Sequence, residues 1–151
     1  ISTGSTFSKT GLKYCPYLCK LIKQCPEILS CVISILPPKK GIPIHIGYYK
    51  GIIRYQLGVI IPKDRKNVYL CANGIPYHWK EGKGMIFDDT FAHKVYNNTL
   101  EDRVIIYMDI RRTNLPILIK FINEIFINAL LNTPDVKNEI KKTEYQVNMR
   151  I

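Results

Sequence analysis

The feature that most constrains this chain is a succession of short, β-branched, apolar runs, each cut off by proline, glycine or asparagine. The run Ile28–Leu36 stops at Pro37-Pro38-Lys39-Lys40-Gly41, residues 52–61 stop at Pro62, and Val68–Ala72 stops at Asn73-Gly74. After the turn Glu81-Gly82-Lys83-Gly84, further strands are expected at 85–87, 94–96 and 103–110. Strands this short, punctuated this regularly, predict a mainly β protein, either a sandwich or a jelly roll. Helices flank the strands: Pro16 opens a short helix that Pro26 stops, and residues 2–10 read as loop. Residues 115–131 read as a helix with a wide apolar face, with Pro116 in its first turn and a polar stripe of Lys120, Glu124 and Asn128. That helix is too short and too polar for a membrane span. It is expected to pack against the outside of a barrel; the alternative is an interfacial helix, with Arg111 and Arg112 reaching a lipid surface. After Pro134 the polar, charged tail reads as a second short helix. No repeat or low-complexity linker divides the chain, so residues 1–151 are expected to form one domain with a helical tail over 115–151.

Composition narrows the class further. Hydrophobic residues make up 46% of the chain, which excludes disorder and supplies a real core for a domain of this length. The net charge is +10, which would attract an anionic partner, although A/T-rich coding is the favoured account of the abundant Lys, Ile and Asn. No basic run is interleaved with aromatics, so no nucleic-acid partner is expected. The five cysteines, Cys15, Cys19, Cys25, Cys31 and Cys71, contain no C-x-x-C pair and are odd in number. They signal neither a disulfide framework nor a zinc ribbon, and favour a cytoplasmic or membrane-peripheral protein over a secreted one. The chain opens at Ile1 with no leader pattern, so missing upstream sequence is an expectation.

Only three histidines exist: His45, His78 and His93. His45 lies in Pro43-Ile44-His45-Ile46-Gly47, before a strand; His93 lies in Phe87-Asp88-Asp89-Thr90-Phe91-Ala92-His93-Lys94-Val95, between two strands; Arg103 follows His93 by ten residues. A jelly roll brings such distant residues together at its mouth. Two imidazoles on one side of a metal, with open positions and a cation for the far carboxylate of a 2-oxo acid, are what an iron oxygenase needs.

Several stretches of the chain resemble the aspartyl/asparaginyl β-hydroxylase family. They are Ser34-Ile35-Leu36, Ile42-Pro43-Ile44-His45-Ile46-Gly47 and Ile53-Arg54-Tyr55-Gln56-Leu57-Gly58-Val59-Ile60-Ile61-Pro62, followed by Cys71-Ala72-Asn73, Trp79-Lys80-Glu81-Gly82-Lys83, the Phe87–Val95 segment and Arg103 with Asp109. The likeness runs from about Cys15 to Arg112. It implies a double-stranded β-helix (a cupin-like jelly roll) and an Fe(II)- and 2-oxoglutarate-dependent dioxygenase that hydroxylates an unactivated carbon. His45 and His93 match the iron ligands, and Arg103 the partner of the far carboxylate of 2-oxoglutarate. Ser34 and Arg54 match positions that help bind the co-substrate. Gln56 stands where animal members carry a co-substrate-contacting His. Gly47 matches the position where most related oxygenases place a carboxylate ligand, so water would complete the iron shell. Halide fills that position in iron halogenases, and halogenation stays open as a minor alternative. The implied substrate is the β-carbon of Asp or Asn in a polypeptide. The tail from Asp109 onward resembles the bacterial branch that includes lipid A hydroxylases, so a lipid or small-molecule substrate, with peripheral membrane contact, is the alternative. A jelly roll that only binds is a third reading.

Other residues carry plainer expectations. Asp88 and Asp89 are expected to cap the turn before His93 rather than act as an acid pair, Trp79 to fill the core, and His78 to lie on the surface. Tyr48, Tyr49 and Lys50 are candidates for the substrate entrance. Asn97-Asn98-Thr99 matches the glycosylation tripeptide, a pattern too short to act on.

Overall fold

The structure, a computed structural model, describes residues 1–4, 6–134 and 138. The helix expected after Pro134 falls largely outside them. The chain folds into two compact units, Val32–Asp109 and the pair of segments Ile1–Cys31 and Ile110–Ile151.

The unit Val32–Asp109 carries the jelly roll. Its strands are β3 (Ile28–Leu36, entering from the other unit), β4 (Lys40–His45), β5 (Ile52–Ile60), β6 (Val68–Ala72), β7 (Ile75–Tyr77), β8 (Gly84–Phe87), β9 (His93–Asn97) and β10 (Arg103–Arg111, which leaves it). They lie in two runs, β3-β10-β5-β8 and β4-β9-β6-β7. The nesting defines the fold: the first strand neighbours the last, the second the seventh, the third the sixth, and the fourth the fifth. The last three of these pairs are antiparallel. This is the double-stranded β-helix expected from the sequence.

Alternation sets what lies between the sheets. Along β6, Val68, Leu70 and Ala72 are buried while Tyr69 and Cys71 are less so; along β9, His93, Val95 and Asn97 are the buried set. Val68, Leu70 and Val95 from one sheet meet Leu36 and Ile105 from the other, with Ile61 and Trp79 completing the core. Each such side chain contributes about 1.5–3 kcal/mol by leaving water. The Asn73-Gly74 turn joins β6 to β7 with both residues at positive φ, 48° and 79°. That is the geometry a two-residue hairpin requires.

Two strands differ from the sequence reading. β4 was not expected, and it makes His45 the end of a strand; His93 opens β9 rather than lying between strands. β7 was also not expected. Both are edge strands, which is why Pro43 and Pro76 are tolerated in them.

In the other unit, residues 2–10 are not simply loop. β1 (Ser2–Thr3) and β2 (Thr6–Phe7) form a small hairpin, and β1 pairs with Ser30 and Cys31 of β3. α1 (Lys9–Tyr14) follows, capped by the Ser8 hydroxyl, which accepts from Gly11 N–H at 2.9 Å. α2 (Pro16–Lys23) has Pro16 at its first position, as expected. α3 (Ile117–Leu131) starts later than expected, with Pro116 as its N-cap. Only Asn123 and Ile127 are buried on α3; Ile117, Leu118, Phe121 and Ile125 are exposed. Glu124 of the expected polar stripe pairs with Arg111 at 3.3 Å. Among the described residues no helix is long and apolar enough to cross a membrane.

Candidate active site

The β4–β9 ladder sets His45 opposite His93, after a register shift between Ile42 and His45. The ring centroids are 4.1 Å apart and the planes tilted by 53°. Each ring is fixed in the same way. His45 Nδ1 lies 2.8 Å from the Pro43 carbonyl and His93 Nδ1 2.9 Å from the Phe91 carbonyl. A carbonyl oxygen only accepts, so each Nδ1 carries the proton, and each Nε2 presents its lone pair. Anchoring one ring nitrogen so that the other can ligate is how metal-binding histidines are commonly oriented. His93 is buried and Phe87 packs edge-on against it at 5.3 Å. Burial holds its pKa below the ordinary imidazole value, and the neighbouring His45 pushes the same way, which keeps the ring neutral and able to ligate. Among the described residues no group of three or more His, Cys, Asp and Glu side chains gathers as a metal cluster, so the donor set here is the histidine pair.

Beside the pair lies a charged network. Arg54 donates from Nη1 to Asp89 at 2.9 Å and from Nε to Asp109 at 3.0 Å, and its guanidinium stacks 4.5 Å over Tyr107. Burial raises the pKa of Asp89, opposed by Arg54. The backbone of Asp89 accepts from Gly47 N–H at 2.7 Å. Its carboxyl covers Gly47 so closely that a Cβ at position 47 would run into it. Position 47 therefore has no room for a side chain while Asp89 keeps this place. Asp88 does what the sequence suggested: its Oδ1 accepts from the Thr90 amide at 3.1 Å and hydroxyl at 2.6 Å, shaping the turn before β9.

Arg103 sits at the start of β10 and is only 2% exposed. Its guanidinium lies 5.1 Å over the Trp79 ring, and Nη1 points at the Ser34 hydroxyl at 3.5 Å. Nε is buried without a hydrogen-bond partner among the described residues. The two internal carboxylates that were rival partners, Asp89 and Asp109, are paired with Arg54. Burial pushes the pKa of Arg103 down to about 10, which leaves it cationic at neutral pH. A buried cation with an orphaned N–H is costly unless an anion meets it. That observation fits a dicarboxylate such as 2-oxoglutarate. Gln56 is also buried, its Oε1 accepting from Trp79 Nε1 at 2.8 Å. Trp79 is thus a core residue that supports Gln56 and Arg103, as expected.

Three further residues that the sequence singled out have settings of their own. His78 is exposed, bonded to the Arg65 carbonyl at 2.7 Å. Tyr48 is fully exposed. Asn97 is fully buried: its Nδ2 faces the carbonyls of Leu36, Pro37 and Glu101 at 2.9, 3.1 and 2.9 Å, and its Oδ1 accepts from the Thr99 hydroxyl at 2.7 Å. The tripeptide is a structural hub and not an accessible glycan acceptor. Sequence reasoning missed the Asp89–Arg54–Asp109 network, whose members converge only through the register of the sheets.

The family model described as aspartyl/asparaginyl beta-hydroxylase matches residues 3–113. An ornithine lipid ester-linked acyl 2-hydroxylase of Rhizobium tropici is 32% identical over 130 residues, 86% of this chain and 46% of that protein. The aspartyl/asparaginyl beta-hydroxylase of Homo sapiens is 32% identical over 108 residues, 68% of this chain and 14% of that protein. The chain therefore spans less than half the length of either relative. Among solved structures, a predicted oxalate decarboxylase from Thermotoga maritima aligns with a TM-score of 0.47 at 15% identity, covering 62% of this chain and 73% of that one.

Proposed function

Because the chain belongs to the aspartyl/asparaginyl β-hydroxylase family, we propose that it is an Fe(II)- and 2-oxoglutarate-dependent hydroxylase of an unactivated carbon. The overall change is balanced: R–H, O₂ and 2-oxoglutarate give R–OH, CO₂ and succinate. Iron, when bound, supplies the oxidative chemistry that splits O₂ and breaks the C–H bond. The protein's own residues bind, orient and shield. His45 and His93 offer Nε2 to the metal, held by their Nδ1–H bonds to Pro43 and Phe91. Arg103, with Ser34 beside it, takes the far carboxylate of the co-substrate in a desolvated setting. Arg54 is held by Asp89 and Asp109 near the pair, and Gln56 by Trp79, so both side chains are fixed before any co-substrate binds. Gly47, lying under the Asp89 carboxyl, would bring no side chain of its own to the metal. The observation that carries this reading is the His45–His93 pair, with both rings anchored at Nδ1.

Two substrate classes fit the relatives. The human relative is named for Asp and Asn side chains, and the Rhizobium relative for a lipid acyl chain. The lipid reading is favoured by the length of the match, 130 residues against 108, and by the apolar exposed side of α3. A peripheral membrane setting follows from it. The test is mass spectrometry of peptide and lipid substrates incubated with protein, iron(II), 2-oxoglutarate and ascorbate. A product heavier by one oxygen, matched by succinate, is expected; a chlorinated product or no succinate would overturn the reading.

A further inference from the structure

In the jelly-roll unit, the β6–β7 hairpin and β8 with the turn after it line a cleft of about 280 Å³. That is near the small end of the roughly 300–1,000 Å³ typical of ligand sites, so the cleft suits a compact group. Three aromatic side chains line it: Tyr77 of β7, Phe87 of β8 and Phe91 of the turn. Tyr77 is 41% and Phe91 50% exposed, so both offer ring surface to a ligand. Phe87 is partly buried and fixed by its edge-on contact with the His93 ring at 5.3 Å. Ile75 and Ile86, both exposed, add apolar surface.

The charge of these walls is opposite to that of the protein. The chain carries +10 overall, yet no lysine, arginine or histidine is among the lining residues, and their one charged side chain is Asp88. Its Oδ1 accepts from the Thr90 amide at 3.1 Å and hydroxyl at 2.6 Å, which fixes the carboxylate at the wall. Aromatic faces are electron-rich and draw a cation whose water has been stripped away. An anion would meet only repulsion here. A neutral hydrocarbon would displace water from the Asp88 carboxylate and return no charge to it. A cation that carries its own apolar surface matches both the rings and the carboxylate. We propose that the cleft binds an organic ammonium group, a methylated or alkylated amine, with its N-alkyl groups against Tyr77, Phe87 and Phe91 and its charge toward Asp88. Neither His45 nor His93 lines the cleft, and the inference does not depend on the oxygenase reading.

The test compares three probes of one shape on the whole protein, with no iron or 2-oxoglutarate added. They are choline, neohexyl alcohol, in which carbon replaces the charged nitrogen, and tert-butylacetate, which is anionic. Affinity is read from backbone amide chemical shifts in an NMR titration. Choline should bind about tenfold tighter than the alcohol or more, and tert-butylacetate should not bind, with the shifts centred on residues 72–77 and 86–91. Phe91→Leu keeps apolar bulk but removes the ring, so choline should weaken about three- to tenfold while the alcohol binds as before. Tyr77→Leu is the second ring variant, used if Phe91→Leu alters the amide spectrum of the free protein. Asp88→Asn keeps an oxygen for Thr90 and loses the charge, and should weaken choline by a similar factor. Asp102→Asn, exposed and outside the cleft, should change nothing. No saturable choline binding, equal binding of choline and the alcohol, preference for tert-butylacetate, or shifts centred elsewhere would each overturn the inference. So would undiminished choline affinity in the ring variant, or a loss in Asp102→Asn equal to that in Asp88→Asn.

Discussion

The Asp89 carboxyl lies over Gly47, whose amide donates to the Asp89 carbonyl at 2.7 Å, and the same carboxyl receives Arg54 at 2.9 Å. A side chain at 47 must displace Asp89 and loosen Arg54. Gly47→Ala should therefore cost about 1–3 kcal/mol of stability by overpacking. Gly47→Asp should cost more, since it sets two carboxylates together, and should not tighten iron(II) binding. Urea denaturation and metal titration of both variants check this. Tighter iron binding by Gly47→Asp at unchanged stability would show that position 47 is free to supply a ligand.

Arg103 is expected to govern co-substrate affinity and not metal affinity. Arg103→Lys keeps the charge and loses the planar fork, so 2-oxoglutarate should bind more weakly by about 1.5–3 kcal/mol, roughly ten- to a hundredfold. Arg103→Ala should abolish most succinate formation in the absence of substrate while iron binding stays close to wild type. Calorimetric titration with each ligand separates the two. Unchanged 2-oxoglutarate affinity in Arg103→Ala would move the role to Arg54.

Cys31 is fully buried, and burial pushes its thiol up from 9.0 to about 11. The native state keeps the proton where the unfolded state loses it. Stability from this group is thus whole below pH 9 and is lost as pH rises from 9 toward 11, by about 2 kcal/mol. Cys31→Ala should flatten that alkaline loss, measured by urea denaturation across the range. At pH 8 a thiol reagent should label exposed Cys25 quickly and Cys31 only on unfolding.

Asn97 bridges β9 to the carbonyls of Leu36, Pro37 and Glu101. Asn97→Ala removes the Nδ2 donor from the Leu36 and Pro37 carbonyls, while Glu101 keeps the Thr99 hydroxyl, and should cost about 1–3 kcal/mol. Asn97→Asp turns a donor into an acceptor facing the same oxygens and should cost at least as much. A shift in urea midpoint measures both, and a wild-type midpoint for Asn97→Asp would contradict the hub.

Much of this was legible in the sequence, for definable reasons. β3, β5 and β10 are dense in β-branched residues, β6 is apolar and aromatic, and Asn73-Gly74 requires the turn it makes. β4 and β7 were hidden because Pro43 and Pro76 argue against strand, an argument that fails at a sheet edge. β1, β2 and α1 were hidden because each is too short for periodicity to show. The candidate ligands stood out through the spacing of His93 and Arg103 in a family-like stretch. Their tautomers, the cover of Asp89 on Gly47 and the binding of Arg54 by two carboxylates depend on ladder register and on carbonyls two residues away. Residue type alone does not encode those.

The most direct measurement of the central claim is succinate formed from 2-oxoglutarate, with iron(II) and O₂ supplied, by wild-type protein and by His45→Ala, His93→Ala and His78→Ala. Wild type and His78→Ala are expected to turn over alike, and His45→Ala and His93→Ala to fall to the background of free iron. Wild-type turnover in His93→Ala, or loss in His78→Ala alone, would contradict the assignment of the His45–His93 pair as the iron site.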